Sequence, residues 1–294
     1  MEFTDDIDLP LKPKKELSWS CTCNNSIIEV KRYWLINIIA AILHGVNALL
    51  MVILYYSNDR HDQLYEITTD YASWQNKPNM TDSWDIVQKQ VTVIDGLSLN
   101  WLIFSFHTLS FVFQLSALLP CYNYVERITN EGRHPLRFVE YSMSASIMLV
   151  CIALLCGVRD FMILLSIVVL TAICQLLGGL AEYMRAGGKR ALVHFLGWDC
   201  IFVAYGIILS YFFVAVNLND VSPPEYVTLI IIFQALLYLS FGFVQLIQFY
   251  GREWWGVGAI GRQAEISYTV LSLTAKTLLG WMIYANVIVN ANDA

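Results

Sequence analysis

The sequence predicts an all-α membrane protein: a seven-transmembrane-helix bundle with its N-terminus cytoplasmic and a small β-hairpin in the first extracellular loop. Three observations predict it. The 294 residues are 57% hydrophobic and 14% charged, with a mean hydropathy of +0.53, whereas a soluble domain is about 25% charged. Apolar runs recur almost from end to end, at roughly 33–56, 98–119, 136–158, 161–183, 191–217, 225–249 and 264–290, each near the ~20 residues that cross a bilayer. Lysine and arginine, finally, crowd the segments on one side.

Taken in order, residues 1–32 are polar and contain no signal-peptide core, so they form an N-terminal segment that stays in the cytoplasm, and the first span acts as its own insertion signal. Of the eighteen basic residues, thirteen fall in the segments that this orientation puts inside: Lys12, Lys14, Lys15, Lys31, Arg32, Arg127, Arg133, Arg137, Arg185, Lys189, Arg190, Arg252 and Arg262. Four fall outside, Arg60, Lys77, Lys89 and Arg159. Cytoplasmic loops carry the excess of Lys and Arg, which gives an N-inside, C-outside protein with residues 291–294 as a short extracellular end. None of the seven cysteines lies in an outer loop, so no external disulfide framework is expected. The pair Cys21 and Cys23 has the composition of a lipidation or metal site, although two cysteines in a polar tail are usually neither.

The loop between spans one and two, residues 57–97, is the one sizeable soluble stretch. Its "SWDIVQKQVTVID" alternates apolar and polar residues with the period of a strand, and "YEITTDYASW" is a fitting partner. The expectation is a hairpin lying as a lid on the outer face. The sequon Asn79-Met80-Thr81 falls there and is open to glycosylation, whereas Asn24-Asn25-Ser26 would be cytoplasmic and silent. The net charge of −6 says little about partners, since most charges lie in loops; the lipid bilayer is the expected environment, and no nucleic acid is expected.

Span seven carries one lysine, Lys276, at its centre. A charge there costs about 2.5–3.5 kcal/mol on insertion scales, so something must offset it. Snorkelling is ruled out, because Lys276 lies about 12 residues, roughly 18 Å, from either end. A structural ion pair, an anion site in a transport path and a covalent Schiff base remain. The intramembrane carboxylates available as partners are Glu140 in span three, Asp199 in span five and Glu182 near the inner end of span four. Ser144 follows Glu140 by four residues and Ser272 precedes Lys276 by four, so each hydroxyl shares a helix face with its charge. His44 and Asn47 in "AILHGVN" and His107 in "FSFHTLS" fall near mid-depth in spans one and two. Two histidines at matching depth beside a Lys and a Glu read as functional. Asp199 either faces the interior or sits at the headgroups. The aromatics Trp101, Trp198, Trp281, Phe241 and Phe243 would line a slot for a flat apolar ligand, or are packing.

Seven spans, a lysine at the middle of the seventh and a carboxylate on the third resemble the retinal-binding rhodopsins. The N-inside orientation resembles the inverted group among them, the heliorhodopsins, over nearly the whole chain. The motifs that carry the resemblance are "RFVEYSMSASIM" on span three and "SLTAK" on span seven. It implies that Lys276 bears all-trans-retinal as a Schiff base and that Glu140 is the counterion. Ser144 and Ser272 would hydrogen-bond near it, His44, Asn47 and His107 would line a polar inner cavity, and Trp198 would lie beside the polyene. Gln175, Gln245 and Gln248 are further pocket residues under the same resemblance. The 32-residue N-terminal extension is long for the family.

The function this implies is a light-absorbing photoreceptor. Photoisomerisation would weaken the pairing with Glu140 and send a proton into an internal cavity, where a histidine would hold it before handing it back, and a shape change would signal to a partner protein, with a homodimer as the assembly. Light-driven or light-gated proton transport is the alternative, and a non-photoactive transporter with a buried Lys–Glu pair is the reading from another class. With no zinc-type cluster or nucleophile motif apparent, enzymatic activity is not expected.

Overall fold

In the computed structural model, residues 24–57, 64–76, 84–118, 133–185, 187–218, 223–255 and 259–289 are described. They form seven helices and one hairpin: α1 (Asn24–Ser57), β1 (Leu64–Asn76), β2 (Trp84–Ser98), α2 (Leu99–Leu118), α3 (Pro135–Leu155), α4 (Phe161–Tyr183), α5 (Gly188–Leu218), α6 (Glu225–Trp255) and α7 (Ala259–Ile283). A π-helical stretch, Tyr284–Val289, continues α7. Among the described residues, six helices are long and apolar enough to cross a membrane, and this is an integral multi-pass membrane protein. The Asn79 sequon and the Cys21/Cys23 pair lie outside the described residues.

Each expected span is present. Several helices run past the expected ends; α1 starts at Asn24 and α6 ends at Trp255. A 34-residue helix is about 51 Å long, well beyond the ~30 Å hydrocarbon core, so hydropathy marks the membrane-embedded part and not the helix. Neighbours in sequence pack side by side from α1 to α5, α6 packs on α7, and α7 closes the ring against α1 and α2.

α3 is the central helix, with its buried face running from Arg137 to Leu154. Its start is set locally: Pro135 occupies the first turn, where a missing N–H costs nothing, and the His134 side chain caps the Arg137 N–H. Helix α4 is capped by Asp160, whose carboxylate accepts from the Ile163 N–H at 2.9 Å. The half of the bundle toward the hairpin is filled by apolar side chains, among them Met51, Leu99, Ile103, Phe106, Leu149, Ile152, Leu279 and Ile283.

β1 and β2 pair antiparallel, with Tyr71 opposite Lys89 and Trp74 opposite Ile86. The register slips between Tyr65 and Thr68. The extra residues on β2 include Gly96 at φ +80°, a left-handed conformation that a bulge needs and glycine supplies without steric cost. The root of the hairpin is held to the α3–α4 turn. The Thr68 N–H donates to Arg159 O at 3.0 Å, Thr69 Oγ1 donates to Asp160 Oδ2 at 3.2 Å, and the Arg159 guanidinium stands 4.2 Å from the centre of the Tyr65 ring. Tyr65 and Ile67 are buried there, whereas residues 85–93 of β2 are exposed on both faces. The lid expectation is therefore corrected. The hairpin is anchored at its root and projects from the bundle, because the apolar residues of its distal part, Trp74, Ile86 and Val91, find no bundle surface among the described residues.

Candidate functional site

The centre of the bundle is built by α2, α3 and α7. Lys276 and Glu140 are both buried, and Lys276 Nζ lies 2.5 Å from Glu140 Oε1. Nζ also donates to Ser110 Oγ at 2.6 Å and to Ser272 Oγ at 3.0 Å. An ammonium has three protons and no acceptor, so three acceptors satisfy it. Ser110 Oγ lies 2.6 Å from Glu140 Oε1, which makes its hydroxyl a bridge that accepts from the lysine and donates to the carboxylate. The Tyr141 ring stands 5.1 Å from Nζ and adds a cation–π contact. A charge whose insertion is costly is thereby neutralised and fully hydrogen-bonded.

Ser272 is where its spacing from Lys276 puts it. Ser144 lies on the same face as Glu140, fully buried, and its Oγ has no partner among the described residues. It lines a pocket together with Lys276, Ser272, Tyr141, Met148 and Phe241. That pocket shares Tyr141, Gln175, Tyr238 and Phe241 with a second one lined by Trp198, Ile201, Gly242, His194 and Gln245. The two pockets adjoin at these four side chains and together make a slot of two lobes, reaching from Lys276 to the space between α4, α5 and α6. A Cβ on Gly242 would stand 2.6 Å from Trp198 Nε1, so the glycine is what lets the indole lie flat along α6. Trp198 also meets Phe243 edge to face, with ring centres 5.2 Å apart.

An amine enclosed by acceptors at one end of an aromatic slot, with an orphaned hydroxyl beside it, fits a long apolar ligand that carries one reactive carbonyl. Retinal has that chemistry.

The two histidines lie at mid-depth, close to Lys276. His44 and His107 are fully buried and meet each other, Nδ1 to Nδ1 at 3.1 Å, so one ring donates and the other accepts. His107 Nε2 would be 3.2 Å from a Cβ on Gly280, one turn beyond Lys276 on α7. Asn47 receives the Trp281 Nε1–H at 3.0 Å and ties α1 to α7. None of the three lines the polar pocket at the other, arginine-rich end of the site, which is formed by Tyr33, Asn37, Gln114, His134, Arg137, Glu140, Glu265 and Thr269. Asp199 is exposed on the outside of the bundle, away from Lys276.

Sequence reasoning missed three contributors. Ser110 stood in the quoted stretch of span two without being singled out. In the sequence Arg137 reads as one more inner-side cation, and Glu265 carries no signal at the start of span seven. The Arg137 guanidinium is buried and ion-paired to both Glu182 and Glu265, so it joins α3, α4 and α7. Gln248 joins this cluster, donating to Glu182 Oε1 at 3.1 Å, and does not line the slot. Tyr268 stacks on the guanidinium, 3.9 Å from its ring centre. The signal that could have found the cluster was the α3 spacing itself: Arg137 precedes Glu140 by three residues and shares its face.

The sequence profile of the family described as Heliorhodopsin matches residues 32–288. Among curated protein sequences, none is similar enough to count as a relative. Among solved structures, the chain is similar to the cyanorhodopsin N4075R of the cyanobacterium Tolypothrix sp. NIES-4075, at 14% identity and a TM-score of 0.51, covering 89% of this chain and 94% of that one. It is also similar to the transmembrane domain of the Salpingoeca rosetta rhodopsin phosphodiesterase, at 12% identity and a TM-score of 0.55, covering 88% and 89%. At such identities the likeness concerns the fold.

Proposed function

The chain belongs to the heliorhodopsin family, and from that premise we propose that this retinal photoreceptor is a light sensor in which Lys276 bears the chromophore and Glu140 holds the compensating charge. The observation that carries this reading is the Lys276 amine, closed in by Glu140, Ser110 and Ser272 at the end of the aromatic slot. Retinal supplies the photoisomerisation. The protein supplies the rest. Glu140 Oε1 keeps a negative charge beside the nitrogen of residue 276, which favours its protonated form. The Ser110 hydroxyl fixes the orientation of that carboxylate. Trp198 and Phe241 restrict the path along which a bound polyene can move. Adding all-trans-retinal to the purified apoprotein is expected to give a visible band that hydroxylamine bleaches; a protein that binds no retinal would favour the transporter reading instead.

The orientation is N-inside and C-outside, supported by the thirteen-to-four distribution of basic residues. A tag after Ala294 is expected to be accessible on intact cells and one before Met1 only after permeabilisation; the reverse pattern contradicts the orientation.

Illumination is expected to drive no net proton pumping. A pump needs groups that carry the proton on both sides of the site. The buried carboxylates among the described residues are Glu140, Glu182 and Glu265, at the level of Lys276 or toward the arginine-rich end. Beyond the His44–His107 pair, the opposite half is the apolar core. A proton released near Lys276 therefore has these carboxylates and the His44–His107 pair within reach, but no carrier through the apolar core toward the hairpin side among the described residues, and it returns by the way it came. In voltage-clamped cells expressing the pigment, a sustained light-dependent current at zero driving force would contradict this.

A further inference from the structure

The lobe of the slot that does not hold Lys276 ends on a polar group that the photoreceptor reading leaves unused. His194, on α5, is 2% exposed and lines this lobe beside Trp198, Gly197 and Gln245. Its protonation pattern follows from its neighbours. Gln245 Nε2 donates to the Gly178 carbonyl at 2.8 Å. A carbonyl oxygen only accepts, so the amide can lie one way round, with Oε1 toward His194 Nδ1 at 2.9 Å. That oxygen also only accepts, so Nδ1 carries the proton. Nε2 is buried and has no partner among the described residues. The rings around it are Phe195, Trp198 and Phe249, and Arg137 lines the same lobe. A second ring proton would bury a charge that no carboxylate partners among the described residues, which is costly, so the ring is neutral and Nε2 is a bare lone pair on a residue that lines the slot.

A buried acceptor facing an apolar slot is costly unless a donor meets it. The occupant of the slot has two ends. Its aldehyde is used at Lys276, so the end that enters the other lobe is its ring. We propose that His194 is a specificity-determining residue, and that the pocket selects a retinoid carrying a hydroxyl on its ring, whose O–H donates to His194 Nε2. The inference rests on the assignment of the slot to retinal and adds the class of retinoid that fills it.

The test uses the full-length apoprotein with three probes: all-trans-retinal, all-trans-3-hydroxyretinal and all-trans-4-hydroxyretinal. Binding is followed by quenching of tryptophan fluorescence, and by extraction and quantification of the retinoid retained from equimolar mixtures. At least one hydroxyretinal is expected to be retained about tenfold over retinal, the ratio that one net hydrogen bond is worth. In His194→Phe, which keeps an aromatic ring at that place, the ratio should fall to about one; His194→Leu serves if the first variant does not fold. Equal or weaker retention of both hydroxyretinals by the unaltered protein overturns the proposal, meaning that water satisfies Nε2. A preference that persists in the apolar variants overturns it as well, since the hydroxyl is then read elsewhere. Pigment formation with retinal alone would sink only this inference, whereas failure of all three probes to bind would sink the retinal assignment with it.

Discussion

Lys276→Ala is expected to abolish the visible pigment completely. No other lysine among the described residues is buried, and no other amine lines the slot. Removing one member of a buried pair also leaves Glu140 without its cation, at a cost of about 3–5 kcal/mol, so loss of colour could be confused with loss of fold. The double variant Lys276→Ala/Glu140→Gln removes both charges together and separates the two. It should insert and keep its helical content, and still show no hydroxylamine-sensitive band. A band retained in either variant would place the attachment elsewhere.

Glu140→Gln is the second large effect. A unit charge about 4 Å away is worth about 4 kcal/mol at an effective dielectric near 20, and about 1.4 kcal/mol corresponds to one pH unit. The carboxylate raises the affinity of the neighbouring nitrogen for its proton, so its removal moves the titration midpoint of the pigment to lower pH, by about three units. The protonated pigment that remains at acid pH should absorb further to the red, since no negative charge then holds the positive charge at the nitrogen. An unchanged midpoint would mean that another group compensates the charge. Asp199, the fallback in the sequence, is exposed on the outside of the bundle and is not placed for that role.

What the sequence showed and what it hid divide along a physical line. The spans, the strand alternation and the pairs Glu140–Ser144 and Ser272–Lys276 are periodic within one element, and period is visible in a single chain. The spans alone left Glu140, Asp199 and Glu182 open as partners of Lys276, and it was the resemblance carried by "RFVEYSMSASIM" and "SLTAK" that pointed to Glu140. Ser110 was hidden because Ser105, Thr108 and Ser110 differ only in which way α2 is rotated, a property of packing. Arg137 and Glu265 were hidden because charges near span ends normally sit in water; here α3, α4 and α7 converge and bury them. His194 carries no signal in the sequence, and its unused lone pair emerges only once Gln245 and Gly178 are beside it. The projecting hairpin shows the same limit, since alternation predicts a strand but not the surface on which it lies.

Attachment of retinal to Lys276 is tested most directly by reducing the pigment with borohydride in light, digesting it and mapping the retinyl group by mass spectrometry. A single modified peptide is expected, with the adduct on Lys276, formed together with loss of the visible band. An adduct on any other lysine, or a bleached protein with no adduct at all, would contradict it.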